Sequence, residues 1–118
     1  MTPDMAWSLI DRAVSRQDTH SLEDVQDAVA SGKAQLWCGE RSALVTELVV
    51  YPRKKVCRIW MAGGELGELH HEMLPAVEEW AKAKGCAAVE IIGRRGWDRV
   101  LDDYRQPHTV LMKEIGDG

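Results

Sequence analysis

The sequence predicts an α+β domain with a central mixed, mostly antiparallel sheet flanked by helices, in the order αα-βββ-α-β-α-β. Two amphipathic helical patterns come first, and three β-prone segments joined by short turns follow them. A long helical pattern then separates the third β-prone segment from a further apolar one, and such a strand–helix–strand crossover requires a parallel pair. At 118 residues, the chain is expected to form a single domain over 1–118.

Capping and stop signals mark the two leading helices. The first is predicted to begin at Thr2-Pro3-Asp4, which combines a capping hydroxyl, a proline at the first helical position and an acid at the positive end of the helix dipole. Ser21 is predicted to cap the second helix, and Gly32 to end it.

The later elements are predicted from periodicity and turn residues. Alternation in the third strand predicts Trp60 and Met61 on opposite faces of the sheet, and Pro75 predicts a kink in the long helix. The fourth strand is predicted to be buried on both faces, because it is almost wholly apolar. The predicted strands are Ala34–Cys38, Ala43–Tyr51, Lys55–Ala62, Ala87–Ile92 and His108–Ile115, and the predicted helices are Leu66–Lys84 and Arg94–Asp103.

Charge and composition exclude several classes of protein. The net charge of −4 disfavours a dedicated nucleic-acid binder, although basic runs occur at Arg53–Lys55 and Arg94–Arg95. The N-terminus has no signal-peptide pattern, and no apolar run approaches the roughly 20 residues that span a bilayer, so we expect neither secretion nor a membrane partner. The three cysteines are odd in number, far apart in the sequence and include no CxxC pair, which predicts reduced, buried thiols in a cytoplasmic setting. These cysteines are Cys38, Cys57 and Cys86.

Two stretches carry a resemblance to a known family. The segment EEWAKAKGCAAVEI and the wider chain from about Ala43 to the C-terminus resemble the core of the GNAT family of N-acetyltransferases. The tail GRRGWDRVLDDY…HTVLMKEI is similar to small GNAT-like proteins encoded by tailed phages and prophages. The resemblance implies that the two parallel strands diverge and admit the pantetheine arm of acetyl-CoA between them.

The resemblance also places a pyrophosphate-binding turn at the start of the long helix, where backbone N–H groups and the helix dipole meet the anion. The family pattern is Gln or Arg, two residues, Gly, one residue, then Gly or Ala. Counted back from Trp80, it falls on Glu65 to His70 and puts Glu68 and His70 where small residues are expected. Two carboxylates beside a pyrophosphate would repel it, so the turn is interpreted as degraded. The residues that would still hold the cofactor are Trp60, Met61, Ala62, Gly63, Gly64, Gly67 and Arg99.

The resemblance further implies a general acid, usually a Tyr on the short helix, and that position is occupied by Arg99. Tyr104 is then the best remaining acid, and Glu47 on the central strand is the best candidate base. The alternative for Glu47 is a solvent-facing residue of an alternating strand. His70-His71 is not interpreted as a metal site, because adjacent helical residues point in different directions, and no metal is expected.

Three functional hypotheses follow. The first is a non-catalytic GNAT-fold protein of phage or prophage type that acts through contacts with phage structural or assembly proteins, either in the virion or in the cytoplasm, with no cofactor. The alternative is an atypical acyl-CoA-dependent N-acyltransferase that uses acetyl-CoA. A nucleic-acid-associated module based on Arg94, Arg95 and Arg99 is the least favoured of the three, because the chain is acidic. The sequence leaves a homo-oligomer open.

Overall fold

The computed structural model describes residues 1–17, 19–92, 101–107 and 111–116. Two helices, α1 (Pro3–Gln17) and α2 (Leu22–Ala30), lead into three strands, β1 (Ala34–Cys38), β2 (Ser42–Val50) and β3 (Lys55–Gly64). A continuous helical stretch follows, made of α3 (Leu66–Glu68), a π-helical turn (Leu69–Met73) and α4 (Leu74–Ala83). The strand β4 (Ala88–Ile91) comes after it.

The described strands form one sheet in the order β1-β2-β3-β4. The pairs β1–β2 and β2–β3 are antiparallel, whereas β3 and β4 are parallel, from Val56 opposite Ala88 to Ile59 opposite Ile91. The predicted fold class, a mixed and mostly antiparallel sheet with a helical crossover, is confirmed.

Helices cover both faces of the sheet. On one face, α1 and α2 bury an apolar cluster that includes Ile10, Val25 and Val45. On the other, α4 packs over a second cluster that includes Leu44, Ile59 and Val77. Alternation along β2 explains the division, because Leu44 and Val45 are adjacent and point to opposite faces. At the start of α2, the Ser21 side chain accepts from the Asp24 N–H and the Asp24 carboxylate accepts from the Ser21 N–H, which is a complete capping box.

A β-bulge breaks the alternation of β3. Val45 lies opposite Met61 and Thr46 lies opposite Ile59, so Trp60 is an extra residue in the ladder. Trp60 and Met61 therefore pack in the same cluster, beneath α1 and α2. The predicted placement of Trp60 and Met61 on opposite faces is wrong, because a bulge shifts the side-chain phase by one residue.

The π-helical turn lies immediately before Pro75. The Leu74 N–H donates to the carbonyl oxygen of Leu69, five residues back, and Pro75 then occupies the first turn of α4. A widened turn accommodates a residue that lacks an N–H and would otherwise clash with the carbonyl four residues before it. The irregularity predicted at Pro75 thus occurs as a π turn in the residues just before it.

The structure differs from the predictions for three further elements, which are β4, the predicted last strand and the predicted short helix. β4 is only partly buried, because it is the last strand of the described sheet. Of the predicted strand His108–Ile115, residues 108–110 lie outside the described residues, while Leu111–Ile115 are exposed and form no strand. Of the predicted helix Arg94–Asp103, residues 94–100 lie outside the described residues, and Asp102 and Asp103 form a turn after the buried Leu101.

The packing at the end of β3 can be tested by comparing two glycines with positive φ, Gly64 at the end of β3 and Gly85 after α4. Gly64 has φ +115°, and a Cβ built there would lie 2.4 Å from the carbonyl oxygen of Arg41. Gly85 has φ +80° and nothing within 4 Å of such a Cβ. We expect Gly85→Ala to lower the free energy of unfolding by about 1 kcal/mol and Gly64→Ala by about 3 kcal/mol, because only the second adds a clash to the strain. Urea denaturation of both variants checks this, and equal losses would contradict the packing described.

Candidate functional site

The parallel strands part halfway along β3. Pairing with β4 ends at Ile59 and Ile91, after which the Ile92 N–H donates to the Ile59 carbonyl oxygen at 3.2 Å. β3 itself continues to Gly64. From Met61 to Gly64, no strand of the described chain pairs with the edge of β3 on the β4 side. This open edge runs directly into the glycine turn that precedes α3.

The glycines of this turn have different surroundings. A Cβ at Gly63 would lie 2.6 Å from the carbonyl oxygen of Leu9, so the backbone of α1 packs directly on the turn. Gly64 is held as closely against Arg41. A Cβ at Gly67 would meet only the Oε1 atom of Glu65, at 3.8 Å. Gly63 and Gly64 are thus required by internal packing, and Gly67 is the one of the three that leaves open space.

The hairpin turn between β1 and β2 holds the start of the helix through Glu65. The hydroxyl of Ser42 accepts a hydrogen bond from the Glu65 N–H at 2.9 Å and donates to the Glu65 carbonyl oxygen at 3.2 Å. The guanidinium of Arg41 forms an exposed ion pair with the Glu65 carboxylate at 3.0 Å. These contacts join the hairpin turn to the glycine turn.

Glu68 makes the deeper attachment. Its buried carboxylate accepts hydrogen bonds from the backbone N–H groups of Glu40 and Arg41, each at 2.9 Å. The backbone bond from Arg41 is the largest cause that lowers the pKa of Glu68 below its ordinary value of 4.5. Glu65 and Glu68, which the sequence interpretation treated as obstacles to an anion, are therefore both engaged with the hairpin turn. This role is not evident from the sequence, because the partners of both residues are more than 20 residues away in the chain.

The first turn of the helical stretch has unused donors. The first intrahelical bond runs from the Leu69 N–H to the Glu65 carbonyl oxygen, and the Glu65 side chain makes no capping bond. The N–H groups of Leu66, Gly67 and Glu68 consequently have no acceptor in the part of the chain that the structure describes. Such N–H groups, together with the helix dipole, form an environment that favours an anion.

The structure places Tyr104 at a distance from this turn. Its hydroxyl donates to the Glu78 carboxylate at 2.6 Å. Burial, which is the larger cause, and the neighbouring Glu78 carboxylate together raise the pKa of Tyr104 strongly. Glu78 lies twelve residues after Leu66, which is about 18 Å along a helix. Tyr104 is therefore a poor proton donor, and its hydrogen bond to Glu78 of α4 holds it far from the glycine turn.

Glu47 belongs to a charged network on the other face of the sheet. Arg58 contacts the carboxylates of Glu47 and Glu90 at 3.2 and 2.6 Å and donates to the Tyr51 hydroxyl at 2.8 Å. Glu47 lies on the same face of β2 as Ala43 and Val45, which pack under α1, whereas Tyr104 packs with the cluster under α4. The structure therefore does not bring the candidate base and the candidate acid together.

Three of the remaining candidate residues lie on β3 beyond its last pair with β4. Trp60, Met61 and Ala62 follow the point where the strands part, and the ring of His20 meets the Trp60 ring edge-on, with centroids 4.7 Å apart. Arg99 lies outside the described residues. His70 and His71 stack on each other, and no group of His, Cys, Asp and Glu side chains in the described chain could hold a metal ion.

The cysteines differ in their surroundings. Cys57 is buried. Burial, which is the larger cause, and the nearby Cys86 together raise the pKa of the Cys57 thiol to about 11. Cys86 is half-buried and Cys38 is exposed, so the prediction of buried thiols is wrong for Cys38, which lies at the end of β1. Among the described helices, none is both long and apolar enough to cross a membrane.

The attachment by Glu68 predicts a pH-dependent stability. A carboxyl whose pKa is lowered by folding stabilises the native state above pH 4.5 and loses this contribution as the pH falls through its folded pKa. We expect Glu68→Gln to lower the melting temperature at pH 7, with a difference from wild type that shrinks towards pH 3. Glu72→Gln, an exposed change on the same helical stretch, is the matched control. A difference that stays constant over this pH range would contradict the role given to the carboxylate.

The bond from Tyr104 to Glu78 gives a second prediction. Tyr104→Phe removes one partly buried hydrogen bond and should lower the free energy of unfolding by about 1 kcal/mol, as urea denaturation would measure. Because Tyr104 lies far from the glycine turn, the same variant should keep the wild-type affinity for any anion bound there. A loss of that affinity with unchanged stability would place Tyr104 in the site.

Comparisons with known proteins agree on the fold. No protein-family model and no curated protein matches the sequence. Among solved structures, the chain is similar to a transcriptional regulator from Bacillus halodurans, with a TM-score of 0.68, 13% identity and coverage of 98% of this chain and 96% of that one. A probable acetyltransferase matches with a TM-score of 0.66 and 9% identity over 95% and 91% of the two chains.

A third solved structure carries the family name. The GNAT family acetyltransferase of Staphylococcus aureus matches with a TM-score of 0.55 and 12% identity over 81% and 78% of the two chains. At these identities the likeness concerns the fold, not the activity. The chain has the fold of the GNAT acetyltransferases.

Proposed function

We propose that this protein is an acyl-CoA-dependent N-acyltransferase that uses acetyl-CoA or a related thioester. The observation that carries the proposal is the continuity of two features, the open edge of β3 from Met61 to Gly64 and the unused N–H groups of Leu66–Glu68. Together they offer hydrogen-bonding groups for an extended amide-containing arm and for the pyrophosphate at its end. The GNAT fold and its acetyltransferase neighbours support the same function.

In this proposal the described residues bind and orient the thioester. The N–H groups of Leu66–Glu68 hold the pyrophosphate, the edge of β3 holds the pantetheine amides, and the thioester lies near Ile59 and Ile91, where the strands part. When bound, the thioester would supply an activated acyl group. The amine nitrogen would form a bond to the acyl carbon as the carbon–sulfur bond breaks, and the proton lost by the amine would end on the thiol of the released CoA. Glu47 and Tyr104 take no part in proton transfer, because their side chains already hold Arg58 and Glu78.

The hypothesis of a non-catalytic virion or assembly protein has lost part of its basis. It rested on the carboxylates of Glu65 and Glu68, and both have partners in the hairpin turn. It also rested on a likeness of the tail to phage-encoded proteins, for which the comparisons offer no support. We therefore place the acyltransferase first.

Binding is tested by thermal-shift titration with acetyl-CoA, CoA and pantetheine. A ligand at 100 times its Kd should stabilise the native state by about 2.7 kcal/mol, so acetyl-CoA and CoA should give saturating rises in melting temperature. Pantetheine lacks the pyrophosphate and should bind at least tenfold more weakly. A flat response to acetyl-CoA at millimolar concentration would refute the proposal.

Two substitutions at Gly67 locate the site without damaging the fold. Alanine or aspartate there meets only Glu65 Oε1, at 3.8 Å from the Cβ, and should match or exceed the stability of glycine in the first helical turn. We expect Gly67→Asp to raise the Kd for acetyl-CoA at least tenfold, because its charge faces the pyrophosphate, and Gly67→Ala to change it much less. Equal affinities would place the pyrophosphate elsewhere.

Transfer is tested separately from binding. Release of free CoA thiol from acetyl-CoA should accelerate in the presence of a panel of primary amines and should be lost with the affinity in Gly67→Asp. Saturable binding without turnover on any amine would favour a protein that keeps the site but has no transferase activity.

A further inference from the structure

Acyl transfer to an amine needs a base close to the point where β3 and β4 part. Removing the proton of the acceptor amine requires a lone pair within hydrogen-bond reach of its nitrogen. Glu47 and Tyr104 do not meet this need, because their side chains are bonded to Arg58 and Glu78. A base has to lie within the length of a small amine from Ile59, where the thioester is assigned.

The two faces of the sheet differ at this point in their exposure to solvent. On the α4 side, Ile59 and Leu101 belong to one buried cluster and are 1% and 2% exposed. On the α1 side, the side chains of the ion-paired Arg58 and Glu90 are 26% and 36% exposed. An amine from solution can therefore reach the parting of the strands from the α1 side, and its base is expected on that side.

His20 lies on the α1 side, in the loop between α1 and α2. Its ring meets the ring of Trp60 edge-on, with centroids 4.7 Å apart and the ring planes at 88°. Trp60 is the extra residue of the bulge and follows Ile59, the last residue of β3 that pairs with β4. Since consecutive Cα atoms are about 3.8 Å apart, the contact with His20 begins one residue beyond the position assigned to the thioester.

The surroundings of the His20 ring suit a proton acceptor. Its Nδ1 atom forms an exposed hydrogen bond with the Thr19 hydroxyl at 2.9 Å. When Nδ1 donates to this hydroxyl, the lone pair of the neutral ring is on Nε2. The Asp24 carboxylate is also close, because the pKa of Asp24 is lowered chiefly by its backbone bond from Ser21 and additionally by the charge of His20. A donor bond at Nδ1 and a neighbouring carboxylate are typical of a histidine that takes up a proton at Nε2.

We propose that His20 is the general base that accepts the proton of the acceptor amine, an inference that rests on the proposed acyltransferase function. The Nε2 lone pair takes the proton that an uncharged primary amine loses as its nitrogen bonds to the acyl carbon. The electron pair of the broken carbon–sulfur bond leaves on the sulfur, and the sulfur then receives that proton from the imidazolium. Trp60 holds the ring in place through the edge-on contact.

A stable conjugate tests the placement of His20 without turnover. The probe is CoA whose sulfur is joined through a –CH2–CO– group to n-propylamine, which holds the nitrogen where transfer would occur. At roughly 100 times its Kd, the conjugate should slow the modification of His20 by diethyl pyrocarbonate about tenfold or more, as peptide mass spectrometry measures, and should leave the exposed His71 unaffected. A conjugate that raises the melting temperature but leaves His20 fully reactive would overturn the inference and not the acyltransferase function. No rise at millimolar conjugate would refute both.

Substitutions separate the base from the aromatic contact. His20→Phe keeps a ring against Trp60 and His20→Gln keeps a polar side chain, but neither can take up a proton. Because His20 is exposed, both variants should keep the melting temperature and the affinity for acetyl-CoA, while kcat for the amine falls about 100-fold or more. His71→Phe, the same change at an exposed histidine of the π-helical turn, is the matched control and should keep the wild-type kcat. A wild-type kcat in His20→Phe would overturn the role as base, and so would a fall in kcat that the loss of acetyl-CoA affinity fully explains.

Discussion

The hydrogen bonds from the Glu40 and Arg41 backbone to the Glu68 carboxylate are the contact on which the rest of the site depends. They fix the first turn of the helical stretch against the β1–β2 hairpin, where Ser42 also bridges the N–H and carbonyl of Glu65. A carboxylate that accepts two backbone donors in a buried position is held firmly, since these are charge-assisted bonds. The glycine turn is thereby fixed at both ends, by β3 before it and by Glu68 after it.

This attachment has a consequence for the donors of the helical N-terminus. A side chain that capped the helix in the usual way would use the N–H groups of its own first turn. Here Glu65 and Glu68 contact the hairpin instead, and the N–H groups of Leu66–Glu68 keep their capacity to donate. The acidic residues therefore stabilise the scaffold without occupying the anion-binding position. Sequence alone suggests the opposite, because it shows two carboxylates beside a glycine turn and not the groups they contact.

Local signals predicted most of the fold, and long-range contacts account for what they missed. Helix ends depend on residues close to them in the sequence, so they are predicted well, as at Ser21, Gly32 and Gly85. The bulge at Trp60 depends on the pairing partner of β3, which no property of β3 alone reveals. The crossover predicted the parallel pair, and the resemblance to the GNAT core implied that its strands diverge. The engagement of Glu68 and of Glu47 was not predicted, since each depends on residues at least 11 positions away.

The described sheet has two open edges on the same side, and they differ in the regularity of their backbone. The edge of β4 is regular and short, and a strand with alternating side chains can continue its ladder. The edge of β3 beyond Ile59 begins at a bulge and ends at Gly64, whose positive φ departs from strand geometry. Bulges and irregular backbone disfavour the addition of a further strand, while the peptide groups can still form hydrogen bonds with a flexible ligand. The strand divergence therefore leaves, beyond the last β3–β4 pair, an edge that suits a flexible ligand better than a further strand.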